Sequence, residues 1–147
     1  MQAGIEVQLP KGFSLSSRYN YQKGTEVLDD GSESPSRHAA PAFGVTRLNY
    51  HYQHLDLQFY AMYNGKRSAA DMPEEEKDKK EIYALNSNGE AFTPEWYTLN
   101  FKAMYSFSAN FSLSAGLENI TDQRYRPYSS GISAPGRNFI MSLNARF

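Results

Sequence analysis

The chain has 147 residues, and its 15 basic and 16 acidic side chains leave a net charge of −1. This balance argues against a nucleic-acid-binding protein, which usually carries a basic excess. The absence of cysteine excludes disulfides and thiolate metal sites. The mean hydropathy is −0.64, yet 14% of the residues are aromatic. Such a combination is typical of a β-barrel, in which one strand face meets lipid and the other meets water, although a soluble β-sandwich has a similar composition.

Apolar and polar residues alternate with a period of two in seven segments, which is the pattern of β-strands and not of helices. The predicted strands lie at about residues 4–9, 13–22, 42–52, 55–63, 97–105, 111–118 and 138–147. The side chains expected to face lipid include Leu57, Phe59, Leu99, Phe101, Leu113, Met141 and Leu143. Those expected to face the lumen of a barrel include Gln58, Asn100, Lys102, Ser114, Ser142 and Asn144.

The third predicted strand does not keep one phase. Phe43 and Val45 have one parity, and the apolar residues from Leu48 onward have the other. A β-bulge inserts one extra residue and shifts the phase of a strand. The sequence therefore predicts a bulge near Thr46 or Arg47.

The connections between the predicted strands alternate between short and long, as in outer-membrane barrels with short periplasmic turns and long extracellular loops. The short connections are 10–12, 53–54 and 106–110, and the long ones are 23–41, 64–95 and 119–136. Within the second long connection, the charged run at 74–81 is expected to be a solvated loop segment rather than a helix. Aromatic residues at the strand ends resemble interfacial girdles and favour a barrel over a sandwich.

Seven strands leave two open edges, and a single-chain bacterial barrel has an even number of strands. Residues 1–15 also have neither the basic segment nor the apolar core of a signal peptide. We therefore expect the chain to be part of a longer barrel protein. Alone, with open edges and unsupported long loops, it is expected not to bind and transport a ligand.

A motif near the end of the chain points to a particular family. Residues 117–125, Leu-Glu-Asn-Ile-Thr-Asp-Gln-Arg-Tyr, resemble the N-[LI]-[TF]-D-x-x-Y signature of TonB-dependent receptors. A Pro-Gly-Arg element at 135–137 and a final strand that ends in an aromatic residue follow in the family's order. The resemblance extends over 115–147 and, less fully, over 35–64. Its motif residues are Asn119, Thr121, Asp122, Tyr125, Pro135, Gly136 and Arg137.

The resemblance implies an all-β fold, an antiparallel meander of about seven strands that forms part of a transmembrane β-barrel. Residues 1–147 then represent the C-terminal segment of a 22-stranded barrel, without the N-terminal plug that such receptors carry. The implied function is TonB-energised uptake of a scarce nutrient, such as an iron-siderophore, haem or cobalamin, across the bacterial outer membrane. It implies neither enzymatic activity nor a resident cofactor. A passive porin or structural barrel, and a soluble β-sandwich binding module, remain as alternatives.

The resemblance also suggests roles for individual residues. The motif asparagine, threonine and aspartate are expected mainly to close a turn. The candidate ligand-facing loop residues are Arg37, Arg124, Tyr125, Arg126 and Tyr128. The last strand is expected to face lipid and to be read by the barrel-assembly machinery through Phe139, Met141, Leu143, Ala145 and Phe147. The implied partners are outer-membrane lipid, TonB through the absent N-terminal part, and a small nutrient ligand, but no nucleic acid.

Overall fold

The computed structural model describes residues 1–37 and 39–146. Its strands are β1 (Gln2–Gln8), β2 (Phe13–Asn20), β3 (Thr25–Val27), β4 (Glu33–Pro35), β5 (Phe43–Tyr52), β6 (Leu55–Asn64), β7 (Ala84–Leu85), β8 (Ala91–Phe92), β9 (Trp96–Ser108), β10 (Phe111–Glu118) and β11 (Asn138–Ala145). Short 3-10 turns lie at Pro10–Gly12 and Ala69–Asp71, and the helical turn α1 spans Glu74–Lys77. In these described ranges no helix is both long and apolar enough to cross a membrane.

Seven strands form one sheet in the order β1-β2-β5-β6-β9-β10-β11, and every neighbouring pair is antiparallel. The predicted meander is therefore confirmed. The two remaining pairs, β3-β4 and β7-β8, are small hairpins outside this sheet. They lie within segments that were predicted to be loops.

Short turns join the sheet strands at one end, and long loops join them at the other, as predicted. We name the latter the first long loop (residues 21–42, without His38), the second long loop (65–95) and the third long loop (119–137). All three leave the same end of the sheet because consecutive strands alternate in direction. Any side chains that contact a ligand from these loops therefore approach from one side.

The strand register divides the sheet into one apolar and one polar face. Residues paired directly across an antiparallel ladder share a face. Phe101 pairs with both Phe59 and Leu117, and Lys102 pairs with both Gln58 and Gly116. The same register continues to β11 and confirms that the residues predicted for lipid share one face and those predicted for the lumen share the other.

The predicted bulge near Thr46 or Arg47 is wrong. The pairing of β5 with β2 and with β6 runs without a shift through both residues. The phase break arises because Phe43 and Val45 lie on the polar face. There Phe43 joins Met62 and Trp96 in lining a cavity of about 450 Å³ that also contacts the third long loop. The apolar residues thus mark an interruption of the polar face and not a backbone irregularity.

A register shift occurs instead between Phe111 and Ser112, next to a short turn. Phe111 pairs with Ser108 and Ser112 pairs with Ser106, so Phe107 is the extra residue of the bulge. Its ring lies 4.9 Å from that of Tyr105 and 5.7 Å from that of Phe111. These rings form an aromatic group at the short-turn end of the sheet, as expected for an interfacial girdle.

Burial in the sheet is the reverse of that in a water-soluble domain. Phe139 and Met141 on the apolar face are each 67% exposed, whereas Thr98 and Asn100 on the polar face are 2% and 3% exposed. The described residues form one long sheet, and no second long sheet packs on its apolar face. This arrangement does not support the β-sandwich alternative, which needs two sheets packed face to face.

Candidate functional site

The three long loops pack on one another around a small core of their own. The buried hydrophobic residues of the described chain are Met72, Tyr83 and Ala91, all in the second long loop. Ile82 and Tyr128 pack against them, and Tyr128 comes from the third long loop. The three loops thus support one another, while the expected loss of support from a plug and from further loops stays a prediction.

Arg67 holds all three loops together. The residue is only 9% exposed, and its guanidinium donates to the carbonyl oxygens of Ala39 and Asp71, the latter at 2.7 Å. It also donates to the hydroxyl of Tyr128 at 2.7 Å, and its charge lies 5.4 Å from the centre of that ring. A planar guanidinium has five donors in fixed directions, which suits a residue that joins three segments.

A buried carboxylate continues this network into the second long loop. Glu76 is 1% exposed and belongs to the helical turn α1, within the charged run predicted to be solvated. Its carboxylate accepts hydrogen bonds from the hydroxyls of Tyr83 and Tyr128, each at 2.9 Å. The prediction of a solvated loop rather than a helix is therefore wrong for Glu74–Lys77, which form a helical turn whose buried Glu76 anchors the loop cluster.

The position of Tyr128 alters its acidity. Burial and the hydrogen bond to Glu76 raise the pKa of Tyr128 above its ordinary value. Its ionisation is therefore more costly in the folded loops than in the unfolded chain. The stabilisation is fully present below about pH 10, the ordinary tyrosine pKa, and is lost as the pH rises through the raised pKa.

Burial also raises the pKa values of Tyr83 and Tyr125, but the shift is largest for Tyr128. We therefore expect the last ionisation step of an alkaline titration to belong to Tyr128, because it is buried beside Glu76. Near-ultraviolet absorbance of tyrosinate measures this step, and the step should be missing in Tyr128→Phe. A last step that persists unchanged in this variant would assign it to another residue, with Tyr83→Phe as the comparison.

The family-motif residues hold the two ends of the third long loop together. Asn119 is 3% exposed and has a positive φ of 49°. Its side-chain amide donates to the carbonyl oxygens of Gln123 at 2.8 Å and Pro135 at 3.2 Å, and its oxygen accepts from the backbone N–H of Gln123 at 2.9 Å. These bonds close the turn that the sequence predicted.

Asp122 makes the second link across this loop. Its carboxylate accepts from the backbone N–H of Arg137 at 2.7 Å, and the Arg137 Nε donates to the carbonyl oxygen of Ile120 at 2.9 Å. A Cβ at Gly136 would lie 2.6 Å from the Asp122 carboxylate. Glycine at this position therefore allows the close approach of the two loop ends. Thr121, by contrast, is exposed.

We expect Asn119→Ala to destabilise the third long loop by about 2 kcal/mol, because it removes three hydrogen bonds from a buried side chain. Alanine is also less tolerant of positive φ than asparagine. Hydrogen exchange of the amides in 119–137 measures the effect. Thr121→Ala is the matched control in the same turn and should change stability by less than about 0.5 kcal/mol. Equal effects would contradict the closing role of Asn119.

A cavity of about 450 Å³ lies between the second and third long loops. Its lining combines aromatic rings with charged and polar groups, a composition typical of small-molecule sites. The aromatic and polar members include Tyr83, Phe92, Thr93, Trp96, Tyr125 and Ser129. The charged members are Lys80, Glu81, Glu95, Arg124 and Arg126. We refer to it as the loop cavity.

The structure brings only some of the five candidate ligand-facing residues together. Arg124, Tyr125 and Arg126 line the loop cavity, although Arg126 also donates to the carbonyl oxygens of Glu81 and Ile82 at 3.0 and 3.3 Å. The Tyr128 hydroxyl is engaged in the network of Arg67. Arg37 lies elsewhere in the cluster and pairs with Glu26 at 3.1 Å and Glu75 at 2.7 Å.

Sequence reasoning did not identify two of the residues that line this cavity, Thr93 and Trp96. The hydroxyl of Thr93 and the indole nitrogen of Trp96 are buried and have no hydrogen-bond partner in the described part of the chain. The ring of Trp96 stacks on that of Tyr125, with 4.1 Å between centroids. The one available signal was that Trp96 is the single tryptophan of the sequence and begins a strand.

The residues proposed for barrel assembly lie on the edge strand β11. Phe139, Met141, Leu143 and Ala145 alternate along it and share the apolar face of the sheet. Phe147, the fifth of them, lies outside the described residues. The free edge of β11 and this apolar row are compatible with the predicted role, which stays a prediction.

These features together define a class of protein. An antiparallel meander with an exposed apolar face, a polar opposite face, short turns at one end and long loops at the other is a segment of a transmembrane β-barrel wall.

Comparison with known proteins narrows this class. The chain superposes on the copper transporter OprC with a TM-score of 0.77 and 15% identity, covering 99% of this chain and 22% of that one. For the ferric enterobactin receptor PfeA of Pseudomonas aeruginosa the TM-score is 0.70 with 18% identity, over 98% of this chain and 22% of that one. The siderophore receptor PirA of Acinetobacter baumannii gives 0.70 with 16% identity, over 99% and 21%.

In sequence, the chain is similar to hemoglobin-binding protein A of Haemophilus influenzae, with 26% identity over 165 residues. That alignment covers 92% of this chain and 15% of the relative, so the chain spans less than a quarter of the proteins it matches. No protein-family model matches the sequence. The similar structures are TonB-dependent receptors of the outer membrane. The chain has the fold of a part of their barrel wall.

Proposed function

We propose that the chain is the C-terminal barrel portion of an outer-membrane receptor for TonB-energised uptake of a scarce nutrient. The observation that carries the proposal is the division of the sheet into an apolar face and a polar face, with three packed long loops at one end. A wall of this kind contacts lipid on one side and an aqueous lumen on the other. The loops then form part of the surface that a nutrient meets first.

The similar proteins support the proposed uptake of a nutrient, since their names describe a copper transporter, siderophore receptors and a haemoglobin-binding protein. An iron-siderophore, haem or cobalamin is the class of nutrient that we propose for this chain. Energy coupling to TonB requires the N-terminal part of such a receptor. The row from Phe139 to Ala145 on β11 supports recognition by the barrel-assembly machinery as a further part of the proposal.

Deletion of the complete gene tests the function. We expect the deletion strain to lose growth on one scarce nutrient, supplied as a ferric siderophore, haem or cobalamin, and a TonB-deficient strain to show the same loss. Complementation with the complete gene should restore growth only where TonB is present. Uptake that continues without TonB would instead support the passive porin.

A further inference from the structure

The outward edge of the third long loop carries two arginines beside the apolar face of the sheet. We propose that Arg124 and Arg137 bind the phosphate group of a membrane lipid whose acyl chains lie along that apolar face. This inference goes beyond nutrient uptake, because it concerns the side of the wall that meets the membrane and not the loop cavity.

Tyrosines mark the membrane–water boundary at the long-loop end of the apolar face. Tyr19 of β2, Tyr63 of β6 and Tyr97 of β9 are the outward-facing residues of their strands nearest to the long loops. Tyr97 pairs with Tyr63 and is 53% exposed. Tyrosine and tryptophan are enriched where the hydrocarbon of a bilayer meets its headgroups. Groups that lie directly beyond Tyr97 are therefore at the depth of lipid headgroups.

An open depression of about 400 Å³ lies next to Tyr97. Its remaining lining consists of Thr121, Gln123 and Arg124 of the third long loop. Tyr97 belongs to the apolar face, so the depression borders the side of the sheet that contacts lipid. Arg124 is the one residue that it shares with the loop cavity. A lipid headgroup is therefore able to reach this depression without leaving the membrane surface.

Arg137 brings a second guanidinium to the same edge. It lies two residues before Phe139, which belongs to the outward row of β11. Its Nε donates to the carbonyl oxygen of Ile120 at 2.9 Å, beside Thr121. This bond fixes the guanidinium, while its two terminal nitrogens make no hydrogen bond within the described part of the chain. Two such donors in fixed directions suit the bidentate recognition of a phosphate.

Neither arginine is neutralised by a carboxylate. Arg124 and Arg137 are both exposed, and among residues 1–37 and 39–146 no carboxylate oxygen lies within 4.0 Å of either guanidinium. The third long loop has three arginines and a single acidic residue, Asp122, whose carboxylate accepts from the backbone N–H of Arg137 at 2.7 Å. Basic side chains at a membrane surface attract anionic lipid headgroups. The edge therefore offers an excess of positive charge to a phosphate.

The apolar face provides the contact for the acyl chains. Phe139 is 67% exposed and pairs with Leu117, which in turn pairs with Phe101. These side chains continue the apolar surface from the arginines toward the middle of the sheet. Burial of apolar surface stabilises a lipid against this face, whereas a free phosphate gains nothing from it. The combination of arginines and apolar surface therefore favours a lipid over a soluble anion.

The test uses the complete receptor that contains this chain, purified in an uncharged detergent and titrated with dioleoyl phosphatidate. Native mass spectrometry counts the lipid molecules that the receptor retains. Dioleoylglycerol keeps the chains without the phosphate, and glycerol 3-phosphate keeps the phosphate without the chains. We expect phosphatidate to be retained at concentrations roughly tenfold below those needed for dioleoylglycerol. Glycerol 3-phosphate at the same concentrations should not displace it.

Substitutions assign the retained lipid to this edge. Arg124→Gln and Arg137→Gln should each weaken retention of phosphatidate about fivefold, the effect of one basic residue near a membrane surface. Arg124→Lys keeps the charge and should weaken retention less than Arg124→Gln. Arg146→Gln is the matched control, because exposed Arg146 lies beside Asn110 at the short-turn end of the sheet, and it should leave retention unchanged.

Three results would overturn the proposal. Equal retention of dioleoylglycerol would show that the phosphate is not recognised. Displacement of phosphatidate by equal concentrations of glycerol 3-phosphate would assign the site to a soluble anion instead of a lipid. Unchanged retention in both glutamine variants would place the bound lipid elsewhere on the barrel. The growth assay tests nutrient uptake separately, so failure of the proposed function remains distinguishable from each of these results.

Discussion

Phe101→Arg is expected to destabilise the membrane-inserted barrel by about 2–4 kcal/mol, the cost of arginine on a lipid-facing strand near the bilayer midplane. Phe101 lies on the apolar face and is 38% exposed. It is the middle residue of the outward-facing series from Tyr97 to Tyr105 and pairs laterally with Phe59 and Leu117. The guanidinium is therefore placed among hydrocarbon groups with no polar neighbour on the same face. The free energy of folding of the complete receptor into lipid vesicles measures the effect.

Ser142→Arg is the control for this prediction. Ser142 is exposed on the polar face and pairs with Ser114, so arginine there meets the aqueous lumen, and we expect a change below about 1 kcal/mol. Similar losses from both substitutions would show that the two faces do not differ in environment. The assignment of the apolar face to lipid would then be wrong.

Arg67→Met should loosen the loop cluster by about 3 kcal/mol, because several hydrogen bonds from a buried charged group are lost at once. The carbonyls of Ala39 and Asp71 and the Tyr128 hydroxyl then lose their donor. Hydrogen exchange should report the loss as a roughly hundredfold decrease in protection of the second and third long loops. The strands of the sheet should keep their protection.

The neighbouring Lys66→Met provides the control, since it removes one exposed cation that lies over the ring of Phe92. We expect its exchange rates to resemble those of the unmodified chain. If Lys66→Met and Arg67→Met have the same effect, charge alone determines loop stability. If neither has an effect, the hydrogen bonds of Arg67 do not hold the loops together.

The strands were predictable because the alternation of apolar and polar residues that specifies them is a local feature of the sequence. A strand alternates its side chains between two faces. The faces of Leu57 and Gln58 therefore follow from their positions in the strand, whichever strand pairs with it. The parity of Phe43 and Val45 was misinterpreted because a lumenal face was assumed to be uniformly polar. Only the pairing with β2 and β6 shows that the backbone is regular there.

The loop cluster was less predictable because its contacts join distant parts of the sequence. Arg67 and Tyr128 are 61 residues apart, and neither stands in a motif that specifies the other. The turn made by Asn119 and Asp122 was foreseen, since these residue types bond their own backbone. The burial of Glu76 was not, because a carboxylate in a charged run gives no local sign of its two tyrosine partners.

The hydrophobic core lies in the loops. This placement determines which loops must be transferred together if ligand preference is to move from one barrel to another. The sheet of the described residues has an exposed apolar face, whereas Met72, Tyr83, Ala91 and Tyr128 pack on one another in the loops. We therefore expect the three long loops, which Arg67 joins, to transfer only as one module. Transplanting all three onto a related barrel would carry the loop cavity with them, while transplanting the second or third alone would divide the core and expose its apolar half.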